Sequence, residues 1–349
     1  MKTTFISTQS IGEATRSNIM RSQTRLSEAQ TELGTGKLYD TGIALGGEYS
    51  NLVDLRQQFE SLLVFEKSNA VLQTRLEVSE AALQSLVDGA QDFISELIAA
   101  RQAPSGGELI QESAKGRLQG LVDQMNVSYN GEFLFSGINV SQPPFADYWS
   151  DPPPASRAAV AASFLAEFGV AQGDPGAQSI TPVAMDSFLD GTFADLFEDP
   201  GWESNWSSAS SGLATVRIGR SETITPSVSA NENAIRKLAQ VYAAAADLGT
   251  ANLSKATFEA VIDNIVTVAG GAVQELSGLQ SSLGLSQARL ATATDRGEIQ
   301  RSLLQDRIGR LEGVDPFEAS TRITSLLTQI EASYAVTARI QRLTILNYL

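Results

Sequence analysis

Cysteine and histidine are both missing from this chain of 349 residues. Their absence removes thiolate nucleophiles, imidazole bases, disulfides, and the Cys and His ligands of structural zinc and haem iron. The expectation is therefore a protein that is not an enzyme and uses no cofactor and no metal. Stability has to come from packing and assembly, because no covalent cross-link is available. Positive charge is scarce too: 25 Lys and Arg stand against 40 Asp and Glu, a formal net charge of −15, which argues against nucleic acid as a partner. Apolar runs stay short of the ~18 residues that a membrane span needs, so no membrane contact is expected. The opening Met1-Lys2-Thr3-Thr4-Phe5-Ile6-Ser7-Thr8-Gln9 lacks the apolar core and small-residue cleavage site of a secretory leader. Any exit from the cell is expected to use a route that reads no such leader.

The shortage of positive charge is local. Residues 141–228 hold three basic side chains (Arg157, Arg217, Arg220) against eleven acidic ones, whereas residues 1–38 carry five against three and residues 296–349 seven against six. A hydrated acidic middle between near-neutral, apolar-striped ends is the charge plan of a polymer with a packed axis and a wet rim.

What the chain has in quantity is helical periodicity. Leu55, Leu62, Asn69, Leu76, Leu83, Ala90 and Leu97 recur every seven residues, and Leu52, Phe59, Val87 and Ile94 fill part of a companion row. This seam predicts one helix over 52–98, roughly 70 Å long at about 1.5 Å per residue, ended by Pro104-Ser105-Gly106-Gly107. Asn69 either fixes register against a partner helix or turns to water. A second helix is expected over about 108–128, followed by a hairpin at Asn130-Gly131 near 129–137. After Pro226 the period returns through Ile235, Leu238, Val241 and Tyr242, then from Phe258 to Leu283, as antiparallel partners of the first rod.

Between them, residues 141–225 contain Pro143-Pro144, Pro152-Pro153-Pro154, all three Trp and an alternating Thr215-Val216-Arg217-Ile218-Gly219-Arg220. That texture predicts an inserted, small α+β outer domain whose removal should leave the helical remainder able to assemble. Trp202 and Trp206, with Phe193 and Phe197, read as the small core of that domain rather than a platform for a sugar ring. The acidic group Asp186, Asp190, Asp195, Glu198 and Asp199 lacks the ligand spacing of a calcium loop. Gly34-Thr35-Gly36-Lys37 resembles the end of a phosphate loop, but Leu38 follows the Lys and the first Gly is missing.

The ends are the most telling stretches. Ile11, Ile19, Leu26 and Leu33 stripe the first helix, and Ile323, Leu327, Ile330, Tyr334, Ile340, Leu343, Leu346 and Leu349 stripe the last, after a break at Gly313-Val314-Asp315-Pro316. Chain ends are normally polar and frayed, so these stripes are expected to pair with each other and to form an assembly interface. Isolated helices of this length order poorly until neighbours cover their apolar faces. The fold class is thus mainly α: an elongated antiparallel helical rod with paired terminal helices and one insertion. The expected division is 1–40 with 310–349 as the inner assembly core, 41–140 with 226–309 as the rod, and 141–225 as the outer domain.

Several segments resemble the bacterial flagellin family of axial proteins. Ser68-Asn69-Ala70 with Leu76-Glu77-Val78-Ser79-Glu80-Ala81-Ala82-Leu83 is similar to the family's long N-terminal rod helix. Leu311-Glu312-Gly313-Val314-Asp315-Pro316-Phe317-Glu318-Ala319 is similar to its break before the closing helix, and Ala332-Ser333-Tyr334-Ala335-Val336-Thr337-Ala338-Arg339-Ile340 to its C-terminus. Within the family, Gly131-Glu132-Phe133-Leu134-Phe135-Ser136-Gly137 and the opening with Ser7-Thr8-Gln9 resemble the hook-filament junction branch. Tyr39-Asp40-Thr41-Gly42-Ile43-Ala44-Leu45-Gly46-Gly47 stands where filament flagellins carry an Asp-Asp-Ala-Ala-Gly run. The resemblance implies a structural, extracellular component of the flagellum, exported unfolded by the type III route with a chaperone at the C-terminal helix. It also implies self-assembly into a ring, with an adjacent hook-associated protein and flagellin subunits as neighbours. The alternatives are filament flagellin and a secreted glycan-binding or enzymatic protein acting through the insertion.

Overall fold

A computed structural model of the chain describes residues 8–103 and 105–342, with side-chain burial described for 10–103 and 105–339. Its elements are α1 (Thr8–Thr35), α2 (Thr41–Leu45), α3 (Tyr49–Ala100), α4 (Gly106–Met125), β1 (Ser128–Tyr129), β2 (Glu132–Phe133), α5 (Ala155–Phe168), α6 (Pro182–Phe188), α7 (Gly201–Asn205), β3 (Val216–Arg217), β4 (Thr223–Ile224), α8 (Asn233–Asp247), α9 (Lys255–Glu312) and α10 (Pro316–Arg342). The fold is mainly α-helical.

Local chemistry accounts for the ends of these elements. Asp40 caps α2 by accepting from the Ile43 amide at 2.9 Å, and Asp315 accepts from the Phe317 amide at 2.8 Å just before Pro316 opens α10. Both are side chains satisfying amides that a helix start leaves free. Asn130 and Gly131 take φ of 52° and 81°, the pair of positive angles that closes a two-residue hairpin, and Ser128 pairs with Phe133 across it. Gly169, at φ 70°, ends α5 in the left-handed conformation.

The chain forms two compact units, 1–64 with 298–349, and 65–297; α3 and α9 are each continuous through the boundary. In the larger unit α3 and α9 run antiparallel, tied by Arg101 to Asp263 at 2.7 Å, Gln280 to Gln84 at 2.8 Å and Gln287 to Glu80 at 2.6 Å. Helix α4 packs along α8, whose Ala243, Ala244, Ala245 and Ala246 are all buried.

The expected separation of 141–225 from the rod does not appear in this unit. One apolar cluster runs from Leu72 to Leu290 and takes in Phe145, Tyr148, Phe164, Phe188, Trp202, Trp206, Ile218 and Ile224 together with α4 and α8. The reason is the size of the aromatic side chains: ten rings in edge, tilted and stacked contacts need more cover than three short helices and two two-residue strands supply. They take it from α8 and α9. Hydrogen bonds cement the join, from Trp202 Nε1 to Asn231 at 2.9 Å, Tyr148 to Asp247 at 3.0 Å and Thr257 to the Ile180 carbonyl at 2.6 Å. Helix α9 is also long and apolar enough to cross a membrane, contrary to the expectation drawn from run lengths. Its Val261, Ile262, Ile265, Ala269, Ala272 and Leu276 are buried in the same cluster, as in the core helix of a folded unit.

Candidate assembly surface on the terminal helices

In the smaller unit α1 and α10 lie side by side and antiparallel, with Gln23 donating to Tyr334 Oη at 3.0 Å and Arg322 to Glu32 at 3.0 Å. The buried strip between them is narrow: Ile19, Ser22, Ala29 and Glu32 from α1, and Ala319, Leu326 and Ile330 from α10. Of the residues singled out in the sequence, Ile19 and Ile330 lie in this strip, Leu26 and Ile323 are half-buried, and Ile11, Leu33, Leu327 and Tyr334 are exposed. The side chains of Ile340, Leu343, Leu346 and Leu349 fall outside the described residues. Ala29, Ala319 and Leu326 escape a reading by large apolar residues because two of them are alanines and the third sits one residue from the expected Leu327.

More apolar side chains remain uncovered. Val53 and Val64 on α3, Ile299 and Leu303 on α9, Met20 on α1 and Val336 on α10 are exposed, and Ile43 and Phe317 are 85% and 84% exposed. A helical periodicity of 3.6 places Tyr49, Val53 and Val64 on one outward face of α3, opposite the buried Leu55 and Leu62. Singly exposed apolar residues are ordinary on a protein surface; rows on successive turns of several helices mark a contact face.

A charged joint connects these helices. Glu312, the last residue of α9, is 1% exposed. Its carboxylate meets Lys37 Nζ at 3.1 Å and Arg56 at 2.6 and 2.7 Å, while its carbonyl accepts from the Leu38 amide at 2.8 Å. Gly36, at φ 69°, presents its carbonyl to the Val314 amide at 3.1 Å. Glu32, also buried, accepts from the Tyr39 amide at 3.1 Å as well as from Arg322. Burial pushes the Glu312 carboxyl up, but the hydrogen bonds and charges of Lys37 and Arg56 outweigh it and hold it below its ordinary value of 4.5. A folded value lower than the unfolded one means the joint's ionic stabilisation is complete above 4.5 and is lost as pH falls through and below it. Lys37, which closes the Gly34-Thr35-Gly36-Lys37 run, pairs with Glu312. The mark of this joint in the sequence is that Gly36 and Gly313 each stand beside a charged residue, Lys37 and Glu312.

In the larger unit the seam residues Asn69, Leu76, Leu83 and Leu97, with Leu55 and Leu62 in the smaller, are all buried. From Asn69 onward a tight companion row is Leu72, Ser79, Leu86, Phe93 and Ala100, three residues after Asn69, Leu76, Leu83, Ala90 and Leu97; of the expected companions Leu52 and Val87 are also buried, and Phe59 and Ile94 are half-buried. Asn69 donates to the Ile218 carbonyl at 3.1 Å and to Thr294 Oγ1 at 3.3 Å. A groove lined by Val71, Leu72, Ile138 and Val216 is crossed by the Arg75–Glu132 ion pair. Among the described residues no group of three or more acidic side chains is arranged to hold a metal ion; Asp190 accepts from Asn264 and Asp199 from Arg236. Tyr148 is buried and its hydroxyl is pushed up by burial and by Asp247, whose own carboxyl burial also raises.

The chain's similarity to known proteins follows the same elements. The profile of the bacterial flagellin N-terminal helical region matches residues 6–140, and that of the bacterial flagellin C-terminal helical region matches residues 266–349. A solved structure described as a putative flagellar hook-associated protein from Vibrio parahaemolyticus shares the fold, with a TM-score of 0.51 and 11% sequence identity over 76% of this chain and 97% of that one. No curated protein sequence matches the chain. Both terminal regions and the helices they build place it together: the chain belongs to the bacterial flagellin family and is a structural component of the flagellum.

Proposed function

We propose that this subunit is a hook-associated protein that self-assembles as a ring at the junction of hook and filament. The observation that carries self-assembly is the set of apolar side chains left uncovered on α1, α3, α9 and α10 while the strip between α1 and α10 stays narrow. Burial of such rows against sister subunits stabilises at about 25 cal/mol per Å², and contacts between different faces of identical chains generate rings or helices rather than closed dimers. The assembly interface comprises Ile11, Ile19, Leu26, Leu33, Ile323, Leu327, Ile330, Tyr334, Ile340, Leu343, Leu346 and Leu349, inside a surrounding layer built on the α3 seam. The protein reaches this extracellular place through the type III channel as an unfolded chain, which a sequence free of cysteine permits, escorted by a chaperone on the C-terminal helix. Its neighbours are a second hook-associated protein and flagellin. Its work is mechanical rather than enzymatic.

The hook-associated reading is favoured over filament flagellin by the 131–137 segment and by the likeness to a structure named for that role. Immunogold electron microscopy of intact flagella decides between them. One labelled band beside the hook is the expected result; label along the whole filament establishes flagellin instead.

A further inference from the structure

We propose that Glu312 and Glu32 form an ionic latch that sets the path of the chain from the α1–α10 pair into α3 and α9, and that opening it frees this pair to swing while the rest of the molecule stays folded. Three observations converge on the joint. First, the charged side chains that are buried among the described residues are Glu32, Arg236 and Glu312, and two of the three lie here. Second, apolar packing in the smaller unit is thin: Ile19, Ala29, Leu52, Leu55, Leu62, Ala319, Leu326 and Ile330 are its buried apolar residues among those described, and none belongs to the large cluster. Third, the contacts of Glu312 bridge segments far apart in sequence, Lys37 after α1 and Arg56 in α3, to the α9–α10 break.

The geometry assigns each carboxylate a task. Glu312 fixes where α9 stops relative to α3 and the chain leaving α1, and its own backbone joins the Lys37–Gly313 bridge. Glu32 fixes how that chain turns out of α1, by holding the Tyr39 amide, and locks α10 against it through Arg322. In these pairs the carboxylate is buried while Lys37, Arg56 and Arg322 reach it from the surface; such pairs contribute little net stability but specify one arrangement, because separating them leaves a carboxylate desolvated and unpaired. With little apolar contact to hold the direction of α10, these pairs are what selects it. Gly36 at φ 69° and Gly313, where a Cβ would lie 2.5 Å from the Gly309 carbonyl oxygen, are the positions on either side that call for glycine. The latch is a property of the single chain and stands apart from where in the flagellum the chain works.

Hydrogen exchange of the full-length chain at neutral pH tests it, comparing wild type with Glu312→Gln, Arg56→Met and the double variant. The amides of Leu38 and Val314, which bond across the joint, report the latch; those of α8 report the core. Protection at Leu38 and Val314 should fall at least tenfold in each single variant and no further in the double one, with α8 unchanged. Unchanged protection at the joint overturns the proposal. So do losses that add in the double variant, or losses shared equally by α8. Should Glu312→Gln fail to fold, Lys37→Met carries the test, because that side chain is 65% exposed: the same two amides should loosen a few-fold, and no loosening there overturns the latch.

Discussion

At Gly249, between α8 and α9, the backbone takes φ 66° and an added Cβ would lie 1.9 Å from the Gln172 carbonyl oxygen. At Gly169 the angle is nearly the same, 70°, but nothing lies within 4 Å. The pair separates two costs that usually come together. Alanine at position 169 pays only for the left-handed backbone, about 1–2 kcal/mol. Alanine at 249 adds a backbone clash that no rotamer relieves, and forced overpacking costs roughly 1–3 kcal/mol more. Urea unfolding should show Gly249→Ala less stable than Gly169→Ala by at least ~1 kcal/mol; equal values would mean that the 172 segment gives way. Neither glycine stands out in the sequence, since the partner of Gly249 is 77 positions upstream in a loop. The same limit hid Glu312: its identity and its place beside a chain break were plain, but that Arg56 and Lys37 converge on it depends on how three distant segments meet.

Helix α3 shows what periodicity reveals at the scale of an element and where it stops. The seven-residue row from Leu55 to Leu97 is buried along its length, Asn69 included, because 3.5-residue spacing keeps one face turned to a neighbour whatever that neighbour is. The companion row carries a weaker pattern. Its members Ser79 and Ala100 are small or polar, and Phe59 and Ile94, which look like companions, are only half-buried. Helix α9 runs unbroken through Gly270, Gly271, Gly278, Gly284, Gly297 and Gly309, so packing overrides a propensity cost of about 1 kcal/mol per glycine. Asn69 is where an element-scale rule meets a specific partner. It anchors the β3–β4 hairpin through the Ile218 carbonyl, and its own Oδ1 finds no partner. Replacing it with Leu should gain seam packing and lose the satisfied carbonyl, a cost of about 1–3 kcal/mol. The two offset, so global stability should move by less than ~1 kcal/mol while the Ile218 amide, bonded to the Glu222 carbonyl at 3.0 Å, exchanges faster. A hairpin that keeps its protection would show that Glu222, paired with Arg289 and Arg296, holds it alone.

The whole molecule departs furthest from its sequence in the acidic middle. Composition marks residues 141–228 as different, and an insertion with its own core would be removable. The structure instead gives that stretch a core shared with α4, α8 and α9, and composition cannot show this because apolar side chains look alike whichever partner covers them. Trp202, Phe164, Phe188 and Phe193 are at most 1% exposed, and large aromatic truncations cost about 3–5 kcal/mol each. Against a total stability of roughly 5–15 kcal/mol, losing several at once exceeds what the unit has. Deletion of 141–228 should therefore strip α8 of its cover, expose its alanine face and the apolar side of α9, and abolish cooperative unfolding of residues 65–297. Near-UV circular dichroism from tyrosines outside the deletion, above all Tyr242 packed on Phe93 at 5.3 Å, should vanish and the variant should aggregate. A deletion variant that stays monomeric, with a sharp thermal transition, would restore the insertion to the status of an independent domain and leave the long helices to hold themselves.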